Sequence, residues 1–146
     1  MYLNERAIVR ASDEPELFGT AVARFRGVGA SPAFLDGPGA VAFLAVDHRD
    51  VVGWCWGHHL VRPDGPPMRY LHELAVVEAH RRRGFGRALM DTFMVDGIDA
   101  GATNMFLTTG AANEAARALY GSLGGVLAAQ GPTVNYWFAL GASVVR

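Results

Sequence analysis

The chain has 146 residues and a mass of 15.6 kDa, about the size of one domain. Hydrophobic residues make up 51% of it and charged residues 18%, which excludes a disordered or polyelectrolyte chain. The formal net charge is −1, so the global charge predicts neither nucleic acid nor an anionic membrane surface as a partner. We therefore expect a single soluble domain over residues 1–146.

Cysteine usage and the chain's apolar runs bear on the compartment. Cys55 is the single cysteine, so an intrachain disulfide or a zinc-binding cysteine cluster is excluded. It lies in the apolar run VVGWCWG, which predicts a buried side chain. The first ten residues lack the pattern of a signal peptide, and the longest apolar run, residues 39–46, is far below the roughly 20 residues that span a bilayer. We expect a cytoplasmic protein.

The first half of the chain alternates between apolar runs and turn signals. A helix is predicted over residues 13–26, opening at Ser12 or Asp13, and one helical turn near residues 32–35. The tetrapeptide DHRD at residues 47–50 predicts a hairpin turn between two strands. Strands are predicted at residues 5–11, 40–47, 51–61 and 69–77.

The second half begins with an amphipathic pattern. Phe85, Leu89, Phe93 and Gly97 recur every four residues, which predicts one buried face of a helix over residues 84–100. The remaining predicted elements are a strand at residues 105–109, a helix at 112–123 that Gly124 and Gly125 end in a left-handed cap, and strands at 126–129 and 134–140. This order predicts a mixed α/β domain around one central sheet.

An arginine-rich turn leads from a strand into the helix that starts near residue 84. All thirteen basic residues of the chain are arginine, and four of them fall within residues 81–87. A helix start offers unpaired N–H groups and a positive dipole end, and glycines allow an anion to approach the backbone closely. The pattern indicates a phosphate site or, alternatively, a solvated basic face. The dinucleotide fingerprint GxGxxG fails at Leu89, and the chain contains no GK[ST] motif.

A second segment, NEAARALYGSLGG, also carries candidate functional residues. Asn113 opens the predicted helix at residues 112–123, and Tyr120 follows two turns later. Asn113 would alternatively serve only as a helix cap, and Tyr120 only as a core residue with its hydroxyl at the rim.

The two segments together resemble the GNAT family of N-acetyltransferases. RRRGFG, with Arg81, Gly84 and Gly86, resembles that family's Q/R-x-x-G-x-G/A signature, and NEAARALYGSLGG is similar to its N-x-x-A-x-x-L-Y-x-x-x-G block. The resemblance implies an α/β (α+β) GNAT-like fold, with a central mixed, mostly antiparallel sheet of six to seven strands flanked by about four helices. It also implies acetyl-CoA as cofactor.

A narrower resemblance covers residues 51–90, which look like the type I aminoglycoside 3-N-acetyltransferases. Those enzymes have an acidic residue just before the sequence LAV, commonly aspartate, where this chain has Glu73. The last predicted strand, VNYWFAL, also departs from them. The resemblance implies a small cationic amine as acceptor, with an aminoglycoside as the specific candidate.

The family resemblance also implies roles for individual residues. The Val76 N–H would polarise the thioester oxygen, and Tyr120 would donate a proton to the departing thiolate. The residues implied in binding acetyl-CoA are Leu74, Ala75, Val76, Arg81, Arg82, Arg83, Gly84, Phe85, Gly86, Arg87, Asn113 and Tyr120.

Glu73 is the candidate general base, because an ammonium must lose a proton before it attacks a thioester. The alternative is that Glu73 only pairs with an arginine or binds the cation. His72 is the reserve base. Because side chains alternate along a strand, we expect His72 and Glu73 to face opposite ways. We expect direct attack rather than a covalent enzyme intermediate, because Cys55 lies outside both motifs.

The apolar arm before this segment carries further candidates. His58 and His59 are adjacent in a predicted strand and should point to opposite faces, so no metal site is expected. Trp54 and Trp56 should share one face, with Cys55 on the other. The tryptophans are interpreted as core residues, or alternatively as a wall of the substrate pocket.

Three functions follow as hypotheses. The first is acetyl-CoA-dependent N-acetylation of a small cationic amine, with an aminoglycoside as the preferred acceptor. The second is N-acetylation of a protein or peptide, and the third is a non-catalytic acyl-CoA sensor. Nucleic acid and membrane are not expected as partners, whereas the apolar last strand would suit a homodimer.

Overall fold

The computed structural model describes residues 5–141, which form two compact units divided in sequence between Thr108 and Thr109. The first unit holds a five-stranded sheet and two α-helices, and the second holds one α-helix. No helix within these residues is long and apolar enough to cross a membrane.

The sheet has its strands in chain order. Neighbouring strands are antiparallel, except that the last pair is parallel. The sequence-based prediction of a mixed, mostly antiparallel sheet is confirmed, as is each strand predicted before residue 110. The strands are β1 (Ala7–Arg10), β2 (Ala40–Asp47), β3 (Asp50–Leu60), β4 (Met68–Val76) and β5 (Met105–Leu107).

The β2–β3 hairpin turns at the predicted tetrapeptide. Asp47 and Asp50 are paired, and His48 and Arg49 between them have φ angles of 49° and 71°. Two consecutive residues with positive φ are typical of a type I′ turn, whose twist matches that of the flanking strands. The predicted hairpin is confirmed.

Three α-helices are present in the described residues: α1 (Pro15–Arg26), α2 (Phe85–Asp99) and α3 (Glu114–Ser122). Helix α1 starts at Pro15, later than predicted, because residues 11–13 form a 3-10 turn and proline suits the first helical position. The helical turn predicted near residues 32–35 is a hydrogen-bonded turn, in which the Phe34 N–H donates to the Ser31 carbonyl. The count of about four helices is therefore one too high.

The two α-helices of the first unit cover opposite faces of the sheet. Helix α1 packs Phe18 and Ala21 into a core cluster with Leu44, Val46 and Trp54. Helix α2 buries the predicted face, which consists of Phe85, Leu89, Phe93 and Gly97. The alternation of β3 thus directs Trp54 toward α1 and Cys55 toward α2, which confirms the prediction that Trp54 and Cys55 lie on opposite faces.

Helix α3 of the second unit is capped by hydrogen bonds at both ends. The Asn113 side chain accepts a hydrogen bond from the Ala116 N–H at 3.1 Å. At the other end Gly124 has a φ of 91°, and the Gly125 N–H donates to the Tyr120 carbonyl at 2.9 Å. This pattern is a Schellman motif, so the predicted left-handed cap is confirmed.

The two strands predicted at residues 126–129 and 134–140 are wrong, because the chain from residue 123 to residue 141 contains no strand. Their apolar residues remain exposed, with Val126 at 92% and Trp137 at 67%. β-propensity measures packing on a half-buried sheet face, and no such face is buried here. The sheet consequently has five strands instead of six to seven.

Candidate active site

A β-bulge in β4 decides which side chains meet the indole of Trp56. Trp56 pairs with Glu73 and Gly57 pairs with Leu71, so His72 is the extra residue of the bulge. The Trp56 indole N–H donates to Glu73 at 3.3 Å, and the His72 ring stacks on the same indole at 4.3 Å between ring centroids. The prediction that His72 and Glu73 face opposite ways is therefore wrong, since it assumed an unbroken alternation.

Gly57 is the residue that allows this bulge. A β-carbon at Gly57 would lie 1.9 Å from the Tyr70 carbonyl oxygen, so a larger residue cannot take its place without moving β4. Glycine inside a strand often marks a bulge or a close backbone approach. The sequence therefore contained a signal for this irregularity.

The Glu73 carboxylate is held by three hydrogen bonds. Its Oε2 accepts from the Trp54 indole at 3.2 Å, and its Oε1 accepts from the Trp56 indole at 3.3 Å and from the Arg26 guanidinium at 3.2 Å. The side chain is 20% exposed. The contact with Arg26 agrees with the alternative for Glu73, which is pairing with an arginine. The role of Glu73 as a general base stays a prediction.

A cavity of about 240 Å³ lies between α1, the following loop and β3. Phe18 stacks on Phe34 with ring centroids 5.5 Å apart, and Phe34 meets Trp56 edge-on at 5.5 Å. The tryptophans of β3 are therefore both core residues and pocket walls. The lining residues are Phe18, Val22, Arg26, Val28, Gly29, Ser31, Phe34, Trp54 and Trp56.

The carboxyl-terminal half of β4 has an edge beyond its ladder with β5, which spans only Arg69–Leu71. The Val77 N–H donates to the Val52 carbonyl of β3 at 2.8 Å. Successive residues of an antiparallel strand direct their N–H groups alternately to the two sides, so the Val76 N–H points away from β3. The same alternation directs Ala75 toward β3 and Leu74 toward the open edge. The N–H groups of Leu74 and Val76 therefore face the edge of β4 that no other strand of the described sheet pairs with at these residues.

The start of α2 has the backbone of an anion site. Gly84 caps the helix with a φ of 87°, a conformation that favours glycine, and Arg82 has a φ of 63°. The N–H groups of Phe85 and Gly86 have no carbonyl partner inside the helix, and the helix dipole adds positive potential there. A phosphate fits this arrangement.

The predicted binding residues around α2 differ in what their side chains do. The Arg81 side chain donates to the Val76 carbonyl at 3.1 Å, which ties the turn to the end of β4. Arg82, Arg83 and Arg87 are exposed. The Phe85 ring is buried, so only its backbone would be available to a ligand.

Two of the predicted site residues, Asn113 and Tyr120, belong to the second unit. Asn113 caps α3, which is the structural alternative for this residue. Tyr120 is half-buried, and its burial raises the pKa of its phenol, so the hydroxyl keeps its proton at neutral pH. Their roles toward a cofactor stay predictions.

Cys55, His58 and His59 all make contacts inside the first unit. Cys55 is fully buried, and burial raises the pKa of its thiol to about 12. His58 contacts the rings of Phe34 and Trp56, whereas His59 accepts a hydrogen bond from Arg69 at 2.9 Å. The two histidines therefore point to different partners, as predicted.

Comparison with known proteins identifies the family. Residues 16–124 match the acetyltransferase (GNAT) family, which is more than half of the chain. The chain belongs to the GNAT acetyltransferase family. Acetyl-CoA is the acetyl donor that this family generally uses. A comparison with curated protein sequences gives no match.

Solved structures with this GNAT fold include several acetyltransferases. An aminoglycoside acetyltransferase from an uncultured soil metagenomic sample has a TM-score of 0.81 and 23% identity over 94% of this chain and 99% of its own. A second such enzyme, solved with sisomicin, has a TM-score of 0.77 and 18% identity over 94% and 98%. A ribosomal-protein-alanine N-acetyltransferase from Brucella melitensis biovar Abortus 2308 has a TM-score of 0.71 and 17% identity, over 90% of this chain and 99% of its own. At these identities the likeness shows the fold.

Sequence reasoning missed the α1 side of this GNAT site. Arg26 was not predicted as the partner of Glu73, nor Phe18 and Phe34 as pocket residues. Phe18, Val22 and Arg26 are spaced four residues apart and therefore share one face of α1. That spacing could have been recognised in the sequence. The contact of this face with Glu73 could not, because Glu73 lies 47 positions after Arg26.

Proposed function

We propose that this chain is an acetyl-CoA-dependent N-acetyltransferase that acts on a primary amine of a small molecule. The observation that carries the proposal is the open edge of β4 at Leu74 and Val76, followed along the chain by the glycine-capped start of α2. In a member of the GNAT family these two features fit the pantetheine arm and the pyrophosphate of acetyl-CoA, respectively.

When bound, acetyl-CoA supplies the acetyl group as a thioester. The backbone N–H groups of Phe85 and Gly86 would hold the pyrophosphate, with Arg82, Arg83 and Arg87 adding positive charge. The Val76 N–H would donate to the thioester oxygen. A donor in such a position is typically worth about 2.7–4 kcal/mol of transition-state stabilisation.

Transfer requires two proton movements. The amine nitrogen bonds to the acetyl carbon, the carbon–sulfur bond breaks, one proton leaves the nitrogen and one reaches the sulfur. Glu73 would accept the first proton, directly or through a water, with His72 as the reserve base because the bulge brings it to the same indole. Tyr120 would donate the second, which its protonated phenol permits.

Direct attack by the amine is the route that the chain's residues support. A covalent acetyl-enzyme would need a nucleophile, and the Cys55 thiol is buried with a pKa of about 12. The proposed mechanism therefore has no acetyl-cysteine.

For the acceptor, one specific candidate is an aminoglycoside acetylated at its 3-amino group. The sequence resemblance favours it, and two aminoglycoside acetyltransferases share the fold. N-acetylation of a protein or peptide is the alternative, since a ribosomal-protein-alanine N-acetyltransferase also shares the fold. A cavity of about 240 Å³ favours a small acceptor group over an extended peptide.

The test is release of free thiol from acetyl-CoA in the presence of aminoglycosides, simple amines and short peptides. We expect turnover with at least one small amine. Turnover with peptides alone would replace the small-molecule proposal by the protein acceptor. Binding of acetyl-CoA without turnover of any amine or peptide would favour the third hypothesis, a non-catalytic acyl-CoA sensor.

A further inference from the structure

The cavity beside Glu73 has an apolar and aromatic lining. Four aromatic rings contribute to it, and they contact one another at ring distances of 5.5–6.4 Å. The aliphatic residues Val22 and Val28 complete the walls. Surfaces of this kind bind aromatic rings through apolar burial and edge or offset stacking.

The charges around the cavity cancel. Arg26 lines the cavity, and its guanidinium is paired with the Glu73 carboxylate at 3.2 Å. Two indole N–H groups occupy further acceptor positions of that carboxylate. The guanidinium neutralises the charge of the carboxylate, and the three donors leave about one of its roughly four acceptor positions for a ligand. Since no acidic residue is among the described lining residues and Glu73 is paired with Arg26, a cation inside this cavity would meet no uncompensated carboxylate.

A polycationic acceptor would require several carboxylates around it. The acidic residues of the loop and of the start of α1 do not line the cavity: these are Asp13, Glu14, Glu16 and Asp36. The volume of about 240 Å³ is also below the roughly 300–1,000 Å³ of sites for drug-sized ligands. One ring system fits such a cavity better than an oligosaccharide.

We propose that this cavity holds an uncharged aromatic ring of the acceptor, so that the acceptor is an arylalkylamine with a primary amine on a short alkyl chain. The inference rests on the proposed N-acetyltransferase function and specifies its substrate class. Trp56 connects the two parts of the site, because its indole lines the cavity and also contacts both His72 and Glu73. A ring held against Trp56 places its amine next to the candidate bases.

The first experiment measures binding without relying on catalysis. Trp54 and Trp56 line the cavity, and Trp137 is the third tryptophan of the chain. In a Trp137→Phe background, tryptophan fluorescence therefore reports on the cavity. We expect 2-phenylethylamine to change this fluorescence saturably, and spermidine and sisomicin to leave it unchanged. Absence of a response to 2-phenylethylamine overturns the inference.

The second experiment measures acetyl transfer to the same three amines. We expect 2-phenylethylamine to have the highest kcat/KM. Turnover of sisomicin or spermidine but not of 2-phenylethylamine overturns the inference and leaves the proposed N-acetyltransferase function standing. Binding of 2-phenylethylamine without turnover of any amine overturns the proposed function and leaves the ring site standing.

A charged variant of the lining tests the location. Val28 is 60% exposed and lines the cavity, so Val28→Asp should fold and place a carboxylate at the ring site. We expect the KM for 2-phenylethylamine to rise about tenfold, with kcat little changed. Val61→Asp is the matched control, because Val61 is 88% exposed and does not line the cavity. An equal KM in both variants contradicts the assignment of the cavity.

Discussion

The guanidinium of Arg26 and the carboxylate of Glu73 are hydrogen-bonded at 3.2 Å, although the two residues are 47 positions apart in the sequence. One lies at the end of α1 and the other on β4. The pairing neutralises the carboxylate that the two indoles of β3 hold in place. It thereby sets the charge of the proposed acceptor site.

Removal of the Arg26 charge should change acceptor preference. In Arg26→Gln the Glu73 carboxylate stays bonded to the two indoles but loses its counter-ion, so the site becomes negative. We expect kcat/KM for spermidine to rise about tenfold relative to that for 2-phenylethylamine. Arg24→Gln is the control, because Arg24 lies on the same helix but pairs with Asp50 at 3.8 Å. An unchanged preference would mean that Arg26 does not set the charge of the acceptor site.

Replacement of the candidate base should give a pH-dependent defect. Glu73→Gln keeps the size of the side chain but cannot accept a proton at neutral pH. We expect kcat/KM to fall most at low pH, where the amine is hardest to deprotonate. Glu78→Gln, at an exposed position of the turn after β4, should retain the original profile. A uniform loss across the pH range would assign Glu73 to substrate binding.

The sequence predicted the local elements of the first unit well. The face of Phe85, Leu89 and Phe93 and the DHRD turn are set by neighbours in sequence, through helix periodicity and turn chemistry. The strands predicted after residue 123 failed, because apolar alternation indicates a strand only where a sheet face is buried.

The site was predictable only in part. The glycine-capped helix start could be predicted from RRRGFG, because the role of Gly84 depends only on its own backbone conformation, with a φ of 87°. The contacts of Glu73 could not, since they depend on a bulge at His72 and on a partner from a distant helix. Side-chain alternation along β4 is interrupted at His72, and regular pairing with β3 continues from Glu73 to Val76.

Loss of the Tyr120 hydroxyl should slow catalysis without weakening cofactor binding. In Tyr120→Phe the ring is kept and the proton donor is removed, so we expect kcat to fall about 100-fold. The dissociation constant of acetyl-CoA, measured by calorimetry, should be nearly unchanged. The control is Tyr136→Phe, because Tyr136 is exposed. Full activity of Tyr120→Phe would remove Tyr120 from the mechanism.

The single thiol should be inert in the folded protein. Cys55 is fully buried, and with a pKa of about 12 it carries almost no thiolate at neutral pH. We expect no reaction with a thiol reagent until denaturant is added, and unchanged kcat in Cys55→Ala. The variant should lose about 1 kcal/mol of stability, because it leaves a small cavity under α2. Rapid labelling of the native protein, or loss of acetyl transfer in a folded variant, would contradict direct attack.

The stability of the first unit should fall on mild acidification because of His59. Burial and the charge of Arg69 lower the pKa of this imidazole, whose Nδ1 accepts a hydrogen bond from the Arg69 guanidinium at 2.9 Å. Since the folded pKa lies below the unfolded value of about 6.5, the unfolded chain binds the proton more readily as pH falls through that value. We expect the Tm to drop between pH 7.5 and pH 5.5, and to drop less in His59→Gln. An identical Tm profile in His59→Gln would show that another group senses this change in pH.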